Sequence, residues 1–300
     1  MAIIRALAAA ALLTVAAADP DVVSFPSYAS LPRASRSAPE AEYELARADA
    51  RFEMLKLTYP SDGLRVVAFV YKPSSVAPAA RLPVIIYNRG SYVRNDAAPE
   101  LLPAFHRLAA AGFVVVAPMY RGSEGAEGRD EMGGADLADL INVQSLITTL
   151  PYADATRLFL YGESRGGMMV LQALRDGFPA RAAATFGAFT DLGAYLSSDP
   201  AAATVARQIW PDFERNQAAI LERRSAIRWA ERITTPLLIM HGGADRGVSP
   251  SHAIELASLL QHAGHSYELL IVAGGGHTLQ PFQADRDEHA VRWFRRHLSS

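Results

Sequence analysis

The chain has 300 residues, half of them apolar, which is enough to bury one large core in a single α/β domain. Its formal charge of −2 offers no basic surplus for nucleic acid, and no run of like charges suggests an interaction tail. There is no cysteine, so disulfides, thiol nucleophiles and thiolate metal sites are excluded.

Residues 1–18 read as a secretory signal: Arg5, a short apolar run, then Ala16-Ala17-Ala18 before Asp19. The run is short for a membrane span, so export to a periplasmic or secreted location is expected without stable membrane insertion. An uncleaved anchor is the alternative. From 19 to 38 the chain is rich in Pro, Ser and Ala without apolar period and is expected to lie on the surface or be partly disordered, and a short helix over 40–50 completes the expected leader 19–50. Two β runs, 52–59 and 64–71, flank Pro60-Ser61-Asp62-Gly63, a turn signal that predicts an antiparallel hairpin at one edge of a sheet.

A regular alternation follows. Strands are predicted at 83–87, 113–117, 157–161, 182–186, 236–240 and 267–272, with helices at 99–111, 135–150, 250–263 and 285–297. Continuous apolar strands alternating with helices predict a mostly parallel sheet covered on both faces, with the N-terminal hairpin added to it. The interval 191–235 has helical character, including 217–233, and no strand. Connections in such units are normally a few residues, so this one is expected to be a helical cap over the strand ends, where open parallel sheets bind ligands.

The chemistry centres on Gly162-Glu163-Ser164-Arg165-Gly166, which follows the apolar strand 157–161 and precedes helical spacing from Met168 to Leu174. Strand, tight turn and helix are the context that a nucleophile elbow requires, and they make Ser164 the candidate nucleophile. A serine hydroxyl needs a base within hydrogen-bond reach and a third group to orient that base. The strand 267–272 ends in Ala273-Gly274-Gly275-Gly276-His277, and the strand 236–240 in His241-Gly242-Gly243-Ala244-Asp245. His277 is the expected base and Asp245 the expected acid. The order Ser164, Asp245, His277 is that of the α/β-hydrolase arrangement. His241 competes as base because it too lies at a strand end, and Asp191 competes as acid. His106, His252, His262, His265, His289 and His297 sit in or beside helical patterns.

The backbone N–H of Arg165 is the expected first oxyanion donor. A second should come from the loop Asn88-Arg89-Gly90-Ser91-Tyr92, with Arg89 and Gly90 the candidates. The Arg89 and Arg165 side chains read either as structural ion pairs or as partners of a substrate carboxylate. No metal-ligand spacing, P-loop or dinucleotide fingerprint occurs, so no cofactor or metal is expected.

These motifs together resemble the catalytic domain of the prolyl oligopeptidase family of serine peptidases. The resemblance spans residues 52–297. It rests on Ser61-Asp62-Gly63, Tyr120-Arg121-Gly122-Ser123, Gly162-Glu163-Ser164-Arg165-Gly166-Gly167, the run 236–242 with Asp245 and Val248, and Gly276-His277. It implies Ser164 as nucleophile, Asp245 as acid and His277 as base, with short peptides as substrates. The sequence departs from the family pattern in places. No stretch reads as the β-propeller that family peptidases usually carry, and Arg89 stands where several members use an oxyanion-loop tyrosine. Arg165 replaces the common aromatic residue after the serine, and no glutamate pair is assigned to a peptide amino terminus. Two further readings share the scaffold: a carboxylesterase acting on small acyl esters, and a catalytically silent binding protein.

Overall fold

Ten residues on each side of a two-residue turn build the first large feature. In the computed structural model, which describes residues 21–36, 38–77, 80–92, 94–210 and 213–299, a short strand β1 (Asp21–Val22) and a helix α1 (Glu40–Ala48) lead into β2 (Phe52–Ser61) and β3 (Leu64–Pro73). Ser61 pairs with Leu64, and Asp62 and Gly63 between them take positive φ of 50° and 80°, the turn whose twist matches the strands. The hairpin is not the sheet's edge as expected, because β1 pairs outside β2 through Asp21 and Lys56. The signal expected over 1–18 lies outside the described residues.

The remaining elements are β4 (Leu82–Asn88), α2 (Ala98–Ala110), β5 (Val114–Pro118), α3 (Leu137–Thr149), β6 (Ala153–Glu163), α4 (Arg165–Arg175) and β7 (Ala182–Phe186). After the insertion come β8 (Leu237–Gly242), α8 (Ser251–His262), β9 (Tyr267–Val272) and α9 (Gln283–Arg296). The nine strands form one sheet in the order β1-β2-β3-β5-β4-β6-β7-β8-β9, and pairing is parallel from β5 through β4 to β9.

Alternation along the strands divides the core into two layers, because successive side chains point to opposite faces. Val84, Ile86, Leu158 and Leu160 pack on one face with α3 and α4. Ile85, Tyr87, Phe159 and Tyr161 pack on the other with Phe105 of α2 and Phe294 of α9. The leader joins this second layer: Leu31, Tyr43 and Ala46 are buried in it, and the Tyr43 hydroxyl donates to the Pro26 carbonyl at 2.9 Å. The described residues 21–36 are mostly exposed, and a few buried side chains hold the leader to the fold, each worth about 1.5–3 kcal/mol.

Between β7 and β8 the chain forms α5 (Leu192–Ser198), α6 (Pro200–Ile209) and α7 (Phe213–Arg224), then two single 3-10 turns. The helix expected over 217–233 thus ends at Arg224. Asp191 starts α5 by accepting from the N–H groups of Gly193 and Ala194, and Asp199 does the same for α6. Trp210, Phe213 and Trp229 anchor the insertion in the core, and the Trp210 indole donates to the Glu131 carbonyl at 2.7 Å. Among the described residues, no helix is long and apolar enough to cross a membrane.

Candidate active site

Strand β6 runs directly into α4 with a single residue between them, and that residue is Ser164. Its backbone sits at φ 49°, ψ −116°, a positive-φ conformation that a non-glycine residue holds only when its surroundings impose it. Two contacts do so. The Ser164 N–H donates to the Phe186 carbonyl at the end of β7 at 2.8 Å. The Asn88 carbonyl at the tip of β4 presses against the first turn of α4 so closely that a β-carbon on Gly166 would lie 2.0 Å from it. Only glycine fits there, and the close approach brings the β4 loop, with Arg89 and Gly90, against the elbow.

The loop after β9 returns His277 to this point. Its Nε2 lies 2.9 Å from Ser164 Oγ, and its Nδ1 lies 2.8 Å from Asp245 Oδ2 in the loop after β8. A carboxylate only accepts, so Nδ1 carries the proton and Nε2 is left to accept from the serine hydroxyl. The three residues expected from strand-end position therefore meet in one hydrogen-bonded chain. Asp245 Oδ1 accepts from the backbone N–H groups of Gly247 and Val248 at 2.8 and 2.9 Å, which fixes the carboxylate plane.

The charges are set by opposing effects. Burial favours the neutral His277 imidazole, but the hydrogen bond and charge of Asp245, with the charge of Glu163, outweigh it and raise the pKa above 6.5. Burial also works against the Asp245 carboxylate. Hydrogen bonds from His241, His277 and the Val248 N–H win, holding the group well below the usual carboxylate range.

The two rival residues are elsewhere in the arrangement. His241 is buried behind the acid, where its Nε2–H is shared between Asp245 Oδ2 at 3.1 Å and the Val248 carbonyl at 3.0 Å. It supports the carboxylate and is not bonded to Ser164. Asp191 is the cap of α5, so its carboxylate answers backbone N–H groups instead of an imidazole.

Neither arginine side chain is available to a substrate carboxylate. The Arg165 guanidinium is 1% exposed and pairs with Asp130 at 2.7 Å and Asp136 at 2.5 Å, donates to the Ser91 carbonyl, and lies over the Tyr120 ring. Burial alone would lower its pKa, but the two carboxylates and Tyr120 raise it. The Arg89 guanidinium donates to the carbonyls of Gly90, Tyr92 and Met119 and to Ser123 Oγ, all within 2.9 Å. Both side chains brace the loops around the elbow, and only their backbones face it. Sequence reasoning missed Asp130 and Asp136, whose loop carries no periodic signal. It also missed Gly187, at φ 58°, where a β-carbon would lie 2.4 Å from the His277 carbonyl. A glycine directly after a buried strand was the available clue.

A hydroxyl, an imidazole accepting from it and a fixed carboxylate behind the imidazole form the set that acyl transfer uses. The Arg165 N–H, at the start of α4, belongs to the first turn of a helix, where backbone donors have no intrahelical acceptor.

The profile described as Prolyl oligopeptidase family matches residues 103–300. The chain is 27% identical over 207 residues to the uncharacterized peptidase YtmA of Bacillus subtilis, covering 68% of this chain and 78% of that protein. It is 27% identical over 258 residues to the human acylamino-acid-releasing enzyme, covering 79% of this chain but 34% of the relative. Among solved structures, the Pyrococcus horikoshii acylaminoacyl peptidase superposes with a TM-score of 0.69 at 19% identity, over 83% of this chain and 42% of that one. Dipeptidyl peptidase 4 of Porphyromonas gingivalis also gives 0.69, at 22% identity, over 85% and 37%. The chain thus spans about a third to two fifths of the length of these larger relatives. The chain belongs to the prolyl oligopeptidase family.

Proposed function

We propose that the protein is a serine peptidase that cleaves amide bonds of short peptides through an acyl-enzyme on Ser164. The 2.9 Å contact between Ser164 Oγ and His277 Nε2, backed by Asp245 at 2.8 Å, carries this reading. Ser164 Oγ attacks the scissile carbonyl while its proton passes to His277 Nε2. The C–N bond then breaks as Nε2 returns that proton to the leaving nitrogen. Water, deprotonated by the same imidazole, attacks the acyl carbon; the C–Oγ bond breaks as Nε2 returns that proton to Ser164, releasing the acid. Asp245 keeps Nδ1 protonated and stabilises the imidazolium. The Arg165 backbone N–H supplies one oxyanion donor, and the Arg89–Gly90 backbone beside the elbow supplies the second.

One relative is a peptidase by name and another an acylamino-acid-releasing enzyme, which favours amide over ester substrates. Purified protein should label with a fluorophosphonate, lose the label in Ser164→Ala, and turn over aminoacyl or X-Pro anilides. Turnover of short acyl esters with no anilide turnover would defeat the peptidase reading, and absence of labelling would favour a silent scaffold. We propose further that residues 1–18 direct export, which N-terminal sequencing of the processed protein tests: a chain starting at Asp19 supports it, and an intact Met1 in a cytoplasmic fraction defeats it.

A further inference from the structure

Glu163, the last residue of β6, stands immediately before the nucleophile. Its Oε2 accepts from the Tyr87 hydroxyl at 3.1 Å, and no cation among the described residues lies within ion-pair distance of it. Gly90 packs against Oε1, 3.1 Å from where its β-carbon would be, and offers no side chain that could cover that oxygen.

Two open clefts meet at this carboxylate. One, of about 440 Å³, runs between α2 and α9 and has Thr278, the residue after His277, on its wall. The other, of about 260 Å³, follows the β4 loop and shares Glu100 and Leu101 with the first. The cations facing these clefts are already engaged: Arg89 donates to the carbonyls of Gly90, Tyr92 and Met119 and to Ser123 Oγ. Arg107 and Arg286 share Asp287, at 2.6 and 2.8 Å, and Arg107 also holds Glu42. Arg94 pairs with Glu100. Glu163 is the cleft carboxylate that no described cation answers.

The leaving nitrogen must take its proton from His277 Nε2, so the leaving fragment departs over the imidazole. Glu163 and Thr278, the chain neighbours of Ser164 and His277, both line the first cleft, so it starts next to the pair that handles the leaving nitrogen. We infer that Glu163 is the anionic wall of the leaving-group subsite and that the enzyme favours a cationic residue, lysine or arginine, immediately after the scissile bond. This specificity rests on the amide hydrolysis proposed above.

Internally quenched peptides that differ only in lysine or norleucine after the scissile bond test the inference on the full chain. The lysine peptide should have the higher kcat/KM by roughly fivefold, the size of one partly screened charge pair. Added salt should erode that preference, as screening requires. Glu163→Gln should bring the ratio to about one, mainly through the KM of the lysine peptide, and Glu163→Lys should push it below one. A ratio that Glu163→Gln and salt leave unchanged, in protein that still labels at Ser164, overturns the inference while the peptidase reading stands. Protein that neither labels nor turns over any substrate overturns both.

Discussion

The loops after β8 and β9 and the loops after β4 and β5 reach the same serine by different means. The first pair presents side chains to the reaction: Asp245 and His277 sit at strand ends behind glycines, and both carboxylate oxygens of Asp245 are engaged, Oδ1 by the Gly247 and Val248 N–H groups and Oδ2 by His277 and His241. The second pair scaffolds the elbow. Its polar side chains, Arg89 with Ser123 and Asp130 with Arg165, turn inward and hold the loops in place. A catalytic centre of this kind has a chemical half and a scaffolding half, and substitution should separate them: one half loses rate, the other loses stability.

The sharpest break is at the nucleophile. Ser164→Ala should cut kcat on an anilide by roughly 10⁴- to 10⁶-fold with an unchanged denaturation midpoint, and adding His277→Ala should cost almost nothing more, because such groups act as a unit. A double variant whose losses multiplied would deny that the two cooperate. On the scaffolding side, Arg165→Met leaves Asp130 and Asp136 buried without their cation and should cost about 3–5 kcal/mol in urea denaturation. Restoring charge balance with Asp130→Asn should recover part of that loss. An Arg165→Met protein of normal stability that failed only in turnover would erase the distinction between the halves.

His241 lies on the boundary. His241→Leu removes a donor from a buried carboxylate and should cost about 1.5–3 kcal/mol, with some loss of rate as Asp245 is held less firmly. Asp191→Ala, by contrast, removes only a helix cap. About 1 kcal/mol of stability should go and turnover should remain near normal. Comparable rate losses for Asp191→Ala and Asp245→Ala would reopen the choice of acid.

The smallest effect is a pH midpoint. Only neutral imidazole can take the serine proton, so kcat/KM should rise with pH as His277 deprotonates. Because Asp245 and Glu163 raise that pKa in spite of burial, the midpoint should lie above 6.5 and should fall when Asp245 is replaced by Asn. A rate flat between pH 5 and 8 would count against His277 as the base.

The same division governs how much of the fold and site is legible in the sequence. Ser164, Asp245 and His277 were legible because a hydrolase places its reactive side chains where apolar strands end, and both glycine-rich strand ends are visible in the chain. The parallel order was legible for a related reason: buried strands such as 83–87 read as unbroken apolar runs. The roles of Arg89 and Arg165 were not, since an arginine's partner is fixed by which distant loop folds onto it, and Asp130 and Asp136 lie in a stretch with no period. What ties the leader to the fold was not legible, because composition reports how polar a segment is on average, whereas docking depends on a few residues, Leu31 and Tyr43 foremost.

That last placement bears on how the protein is handled at the bench. A shortened version beginning at Phe52 would keep the whole reactive machinery yet strip the cover from α2, baring aromatic rings that otherwise never meet water. Such a fragment should clump on expression, so the smallest workable clone has to begin upstream of Leu31.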